Sequence, residues 1–235
     1  MDQLYTVIKE DYSFQGESLT LCLPDAEEVR RFYQADPTAG KPYWTVVWPS
    51  ASALCHFIVE HPHLFTGREV WEPGAGLGLP SLLVARFARK VIASDLSLQA
   101  VELVRQSARL NKITNLQAEQ MDWNRMPALT ADIVMLADVN YDPFVFDEVA
   151  AMINRCLYAG CTVLLATPAR ITSPAFMELV RPYIIRTSEY TIGNRQVLLL
   201  TLNGNDQVIQ HHRAEDQLEQ RSNEEAEKGS PGGTE

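Results

Sequence analysis

The sequence predicts an α/β fold, a doubly wound and mostly parallel sheet of about seven strands that closes on an antiparallel hairpin. Three observations predict it. From residue 68 onward, short apolar runs alternate with stretches of helical periodicity, the pattern of strand–helix–strand units with right-handed crossovers. One of these runs, ADIVMLAD at 131–138, is apolar enough to be central and covered on both faces. Two late runs, IIRTSEYTI and RQVLLLTL, face each other across Gly193-Asn194 and read as a hairpin.

The elements follow in order. ESLTLCLP at 17–24 alternates weakly and suggests a strand or hairpin, and AEEVRRFYQA after it a short helix. Behind Pro49, Leu54, Phe57 and Ile58 fall at helical spacing. REVWEP is then a strand, the glycine-rich PGAGLG a loop, and LPSLLVARFA an amphipathic helix. KVIASD is the second strand of the alternating region and ends on Asp95. LSLQAVELVRQSARLNK is a helix with Val101, Val104 and Ala108 on one face; LQAEQMD and ADIVMLAD are the third and fourth strands. Asp142-Pro143 supplies an N-cap and a proline at the first helical position, so a helix is expected over 143–157. CTVLLATP is the fifth strand and SPAFMELVRPY a further helix.

Three units are expected: an N-terminal strand and helix extension over 1–40 packed on the core, a ligand-binding domain over 41–205, and an acidic disordered tail over 206–235. The net charge is -10 over 235 residues, and the tail, with eight acids and three bases, carries half of it. An acidic chain without a basic stripe is poorly suited to a phosphate backbone, so nucleic acid is not an expected partner. No apolar run is long enough to cross a bilayer, and the start of the chain lacks a secretory signal's apolar segment. A cytoplasmic monomer is expected. The four cysteines form no CxxC pair and the five histidines no ligand spacing, so no metal is expected.

The chemistry concentrates after the first strand of the alternating region. Gly74, Gly76 and Gly78 follow that strand, where a loop can bring backbone close to a ligand. A dinucleotide fingerprint needs its third glycine at 79, and position 79 is leucine. Glu72 precedes the glycines; a pyrophosphate is repelled by it, whereas a ligand carrying ammonium and sulfonium charges is attracted. That favours S-adenosylmethionine. Asp95, at the end of the next strand, can accept from both ribose hydroxyls. After the third strand, Asp122 can take an adenine amino group while Trp123 covers the ring.

Taken together these residues resemble class I methyltransferases with a Rossmann-like sheet, and more closely methyltransferase family 16, which contains protein lysine methyltransferases. The resemblance spans about residues 43 to 170. It rests on VWPSASAL at 47–54, EPGAGLG at 72–78, Asp95, Trp123 and the Asp138-Val139-Asn140-Tyr141 element. It implies that Trp48 meets the methionine end of the cofactor. Gly74, Ala75 and Gly76 lie beside it, Asp95 holds the ribose, Trp123 lines the adenine pocket, and Ala137 with Asp138 runs alongside.

The sequence departs from family habit at Asn124, where glycine is common, and at Thr167–Arg170, which reads TPAR where some relatives have an acidic D-P-G-R. Asp138 and Tyr141 are the candidate catalytic pair, positioning a lysine amine and stabilising its charge. Protein-lysine methylation is the expected activity; a small-molecule acceptor, or a pseudo-enzyme that only binds, are the alternatives. Arg170 and the helix acids Asp147 and Glu148 read as ordinary surface and helix chemistry.

Overall fold

The computed structural model describes residues 5–35, 42–125, 131–140, 143–169 and 174–204. Tyr141, Asp142, Arg170 and the expected tail at 206–235 lie outside them.

A two-stranded hairpin comes first, β1 (Val7–Phe14) and β2 (Glu17–Pro24), antiparallel, followed by helix α1 (Ala26–Ala35). Helix α2 (Pro49–Glu60) starts on a proline in its first turn, where the missing N–H has no intrahelical partner to lose. Then strands and helices alternate: β3 (Glu69–Pro73), α3 (Leu79–Val84), β4 (Lys90–Asp95), α4 (Leu98–Leu110), β5 (Leu116–Gln120), β6 (Ile133–Ala137), α5 (Phe146–Tyr158), β7 (Thr162–Pro168), α6 (Pro174–Val180), β8 (Ile184–Ile192) and β9 (Arg195–Leu202).

Seven strands form one sheet in the order β5-β4-β3-β6-β7-β9-β8. The first five run parallel, and β9 joins β7 antiparallel with β8 outside it. The strand 131–138, expected to be central, is β6, fourth of seven. Its neighbouring side chains alternate between the two layers: Met135 packs with Val70, Leu164, Phe57 and Leu83. Val134 and Leu136 pack with Trp71, Leu165, Met152 and Ile153. Helices α2, α3 and α4 thus cover one face and α5 and α6 the other.

Two local expectations change. The run 79–88 is amphipathic on paper, yet α3 spans only Leu79–Val84 and all six residues are buried. Wedged against α2 and the sheet, it presents no face to solvent. The helix expected from 143 begins with a 3-10 turn at Pro143–Val145, and α5 proper starts at Phe146. Proline fixes its own φ and is compatible with either turn, so it marks the entry and not the helix type.

The N-terminal hairpin is joined to α4 by polar contacts along its β2 side. Asn111 Oδ1 accepts from Thr20 N at 3.0 Å, and Asn111 Nδ2 donates to Thr20 O at 2.7 Å. Its amide thereby stands in for a neighbouring strand's peptide. Ser107 Oγ, buried, accepts from Cys22 N at 2.9 Å. Asn111→Ala leaves the Thr20 N–H and C=O without these partners. It should cost about 1–3 kcal/mol in chemical denaturation, and hydrogen exchange should speed up selectively across residues 17–24. Unchanged exchange there would mean that apolar packing alone holds the hairpin.

Candidate active site

The strand order reverses between β3 and β6, each the start of a run outward. In open α/β sheets ligands bind outside the carboxyl ends of the strands at such a switch point. The loops that leave β3, β4, β5, β6 and β7 there enclose a cleft of about 310 Å³, at the small end of small-molecule sites.

Glu72, the fourth residue of β3, is 1% exposed. Its Oε2 accepts from Ser81 N at 2.9 Å and from the Ser81 hydroxyl. Ser81 lies in the first turn of α3, whose N–H groups have no intrahelical acceptors, so Glu72 supplies one across the glycine loop. Burial is the largest influence on Glu72 and pushes its pKa up to about 8, against the lowering effect of the Ser81 bonds. The expectation of an acid facing a cationic ligand is therefore only half of its role. Glu72 lines the cleft, but its carboxyl also pins the loop and, at neutral pH, holds a proton until a cation draws it off.

Asp95 ends β4. Its Oδ2 accepts from Gly76 N at 2.8 Å and its Oδ1 from Ser97 N at 2.8 Å. One carboxylate thus bridges the glycine loop and the N-cap of α4, where Ser97 Oγ in turn accepts from Ala100 N. Burial raises the Asp95 pKa against the lowering by these backbone N–H groups.

The three glycines all have positive φ, but their surroundings differ. A Cβ on Gly74 would sit 3.0 Å from the Trp123 ring, and one on Gly76 would sit 3.4 Å from Trp44 O. A Cβ on Gly78 would come within 2.8 Å of Val104 on α4. Gly78 is the N-cap of α3 and lines the cleft, so the third glycine answers to helix packing as well as to the loop's place in the site.

Of the other expected residues, Trp48, Ala75, Trp123, Ala137 and Asp138 line the cleft with Glu72, Gly74, Gly76 and Asp95. Trp48 is 37% exposed, and its indole N–H donates to Tyr43 O at 2.9 Å. Asp138 is 8% exposed, in the left-handed region at φ 56°, and its N–H donates to Ala166 O on β7.

Asp122 is not brought into the lining. Its Oδ1 accepts from Asn124 N at 2.9 Å and its carboxylate pairs with Arg125 at 3.7 Å. An Asx-type turn captures the side chain locally, and Met121 fills the wall beside Trp123 instead.

Sequence reasoning missed Tyr43, Val46, Leu96, Met121, Pro168 and Arg195 as lining residues. Leu96 carried a signal, an apolar residue directly after a strand-ending acid, and it is 65% exposed. Arg195 carried none, because the antiparallel seat of β9 beside β7 brings it to the rim from far along the chain.

The residues fit S-adenosylmethionine. Asp95, which takes backbone N–H groups from Ser97, Gly76 and Leu96, retains acceptor capacity for a diol; Leu96, Met121 and Trp123 would give apolar walls for a flat base, and Glu72 lines the same cleft.

Residues 37–181 match the model of the lysine methyltransferase family, Methyltransf_16. The human histone-arginine methyltransferase METTL23 is 29% identical over 134 residues, 54% of this chain and 70% of that protein. The rat electron transfer flavoprotein beta subunit lysine methyltransferase is 25% identical over 164 residues, 64% of this chain and 59% of that protein. Among solved structures, the Thermus thermophilus 16S rRNA N2 G1207 methyltransferase RsmC, in complex with AdoMet and guanosine, aligns over 84% of this chain and 51% of its own. Its TM-score is 0.60 at 18% identity. The Synechocystis magnesium protoporphyrin IX methyltransferase ChlM with bound SAM aligns over 77% of this chain and 98% of its own, with a TM-score of 0.55 at 19% identity. These two show the fold.

Two predictions test the site's construction. Gly78→Ala should cost roughly 2–4 kcal/mol, from the left-handed backbone and the Val104 clash. A double-mutant cycle with Val104→Ala should recover at least about 1 kcal/mol as coupling; additive effects would remove the packing explanation.

The second concerns pH. The unfolded chain releases the Glu72 proton near the ordinary 4.5 and the folded chain only near 8. Between these values the folded state binds more protons, so this group's contribution to stability falls as pH rises from 4.5 to 8 and is flat outside. Glu72→Gln, neutral throughout, should lose less melting temperature between pH 5.5 and 8.5 than the native chain. An equal loss would rule out a protonated Glu72.

Proposed function

The chain belongs to the lysine methyltransferase family, and on that footing we propose that it methylates a side-chain nitrogen of a separate protein, lysine first, with S-adenosylmethionine as donor. The observation that carries this reading is Asp138. It is a buried carboxyl residue in left-handed backbone at the end of β6, lining the same cleft as Asp95. Non-glycine residues held in that region concentrate where a function requires the turn.

When bound, the cofactor supplies an electrophilic sulfonium methyl; the chain's own residues do the rest. The glycine loop and Asp95 fix the adenosine side, and Trp123 with Met121 closes the wall around it. A lysine at its ordinary pKa faces a cost of about 4–5 kcal/mol to lose its proton at pH 7. Asp138 would hold the arriving ammonium in line and stabilise the charge of the methylated product, while the apolar walls ease proton loss. Tyr141, expected as the partner of Asp138, lies outside the described residues.

Arginine is the second acceptor to weigh, favoured by the likeness to a protein named as a histone-arginine methyltransferase. Its guanidinium is far harder to deprotonate, which ranks lysine ahead. All four cysteines are free and buried, which fits the reducing cytoplasm where we place the activity. We read the protein as a monomer.

Incubating the purified protein with methyl-labelled S-adenosylmethionine and cell lysate, followed by hydrolysis and amino-acid analysis, should yield labelled methyl-lysine. Cofactor binding with no label in any protein fraction would overturn the reading, and methylarginine would select the second acceptor. Asp138→Asn should lower that transfer by about 10²-fold while leaving S-adenosylhomocysteine affinity within two-fold. Unchanged transfer would remove Asp138 from the chemistry.

A further inference from the structure

Asn140 is 1% exposed, and neither its amide nitrogen nor its amide oxygen has a hydrogen-bond partner among the described residues. Burying such a group unpaired costs about 1–3 kcal/mol, and buried amides are normally satisfied. Two hydroxyls share this condition, Ser50 Oγ and Thr167 Oγ1.

The three do not lie at random in the fold. None of the three itself lines the cleft, but their chain neighbours Val139, Pro168, Pro49 and Ala51 do. The strand register sets the Asn140 turn beside Thr167. Ala137 pairs with Ala166, and the Asp138 N–H donates to Ala166 O, so the turn bearing Asn140 leaves β6 beside Thr167. Helix α2, whose first turn holds Ser50, packs on β6 and β7. Asn140 and Thr167 thus share the β6–β7 end of the sheet beside Asp138, Thr167 facing the α5 and α6 layer with Val163 and Leu165, while Ser50 lies in α2 on the other face.

We propose that Asn140 is an acceptor-binding residue, whose amide together with the Thr167 hydroxyl receives the nitrogen of the incoming side chain. This rests on the methyltransferase reading and deepens it. An alkyl amine or ammonium brings several N–H donors, and the amide oxygen and the hydroxyl oxygens are acceptors for them. They are also neutral. A second carboxylate at this position would favour the charged ammonium and oppose loss of its proton, whereas an amide oxygen orients the nitrogen in either protonation state. Asp138 then supplies the one charge, and Asn140 supplies direction without adding another. The retention of an unpaired amide where leucine would pack is explained if its partner arrives with the substrate.

The test uses the full chain, methyl-labelled S-adenosylmethionine and cell lysate. Asn140→Leu removes both unpaired groups at nearly constant volume. It should melt at the native temperature or above, bind S-adenosylhomocysteine within two-fold of native, and transfer at least ten-fold less label. A leucine variant that transfers label at the native rate would overturn the proposal. Asn140→Asp keeps the shape and adds a charge, and its transfer-rate profile should shift to higher pH. An unshifted profile would overturn the proposal even if the leucine variant misfolds. Should the native chain itself transfer no label, the reading of function falls and this assignment with it; native transfer with indifferent Asn140 variants overturns only the assignment.

Discussion

The carboxylate of Asp95 joins the two loops that make the cleft. A backbone bond from Ala75 N–H to Ser94 O already ties the glycine loop to β4, and Asp95 extends that tie to the N-cap of α4. With Gly76 N–H on one oxygen and Ser97 N–H on the other, the backbone is set before any ligand arrives. Glu72 does the same from below, tying β3 to the first turn of α3 through Ser81. Two buried acids are costly to keep, and both have raised pKa values through burial. The fold accepts that cost in return for a loop whose shape is fixed in advance, which is what a weakly directional set of ligand contacts requires.

The rest of the site inherits this arrangement. Because β3 and β6 are neighbours at the switch in strand order, the donor side, set by β3 and β4, lies directly beside the acceptor side, set by β6 and β7. Helix α2 and the segment before it form a roof: Gly76 lies against the Trp44 backbone, and Trp48 is held by its bond to Tyr43 O. Among the described residues, Asn140 and Thr167 keep unpartnered buried polar atoms at the β6–β7 end of the sheet, while Asp95 and Glu72 are engaged by backbone N–H groups.

Much of this was legible in the sequence because it depends on local pattern. KVIASD gives β4 to the residue, and AEEVRRFYQA gives α1. The central place of β6 followed from its unbroken apolar run. Glu72 was found because it stands just ahead of the glycines and Asp95 because it ends its strand, and both line the cleft. What stayed hidden depends on distant partners. The role of Gly78 required knowing that Val104 packs against it, and Arg195 reaches the rim only through the antiparallel pairing of β9. Asp122 lies outside the lining because its carboxylate turns to the backbone N–H of Asn124. Asn140 had no signal at all: nothing in DVNY distinguishes a surface amide from a buried unpaired one.

The central claim is that the cleft framed by the glycine loop, Asp95 and Trp123 is where the donor binds. Hydrogen exchange of the full chain with and without S-adenosylhomocysteine tests it most directly. Protection should rise in peptides covering 74–78, 95–97 and 121–123 and change little in the N-terminal hairpin. Binding accompanied by protection elsewhere, with those three segments unaffected, would contradict the account.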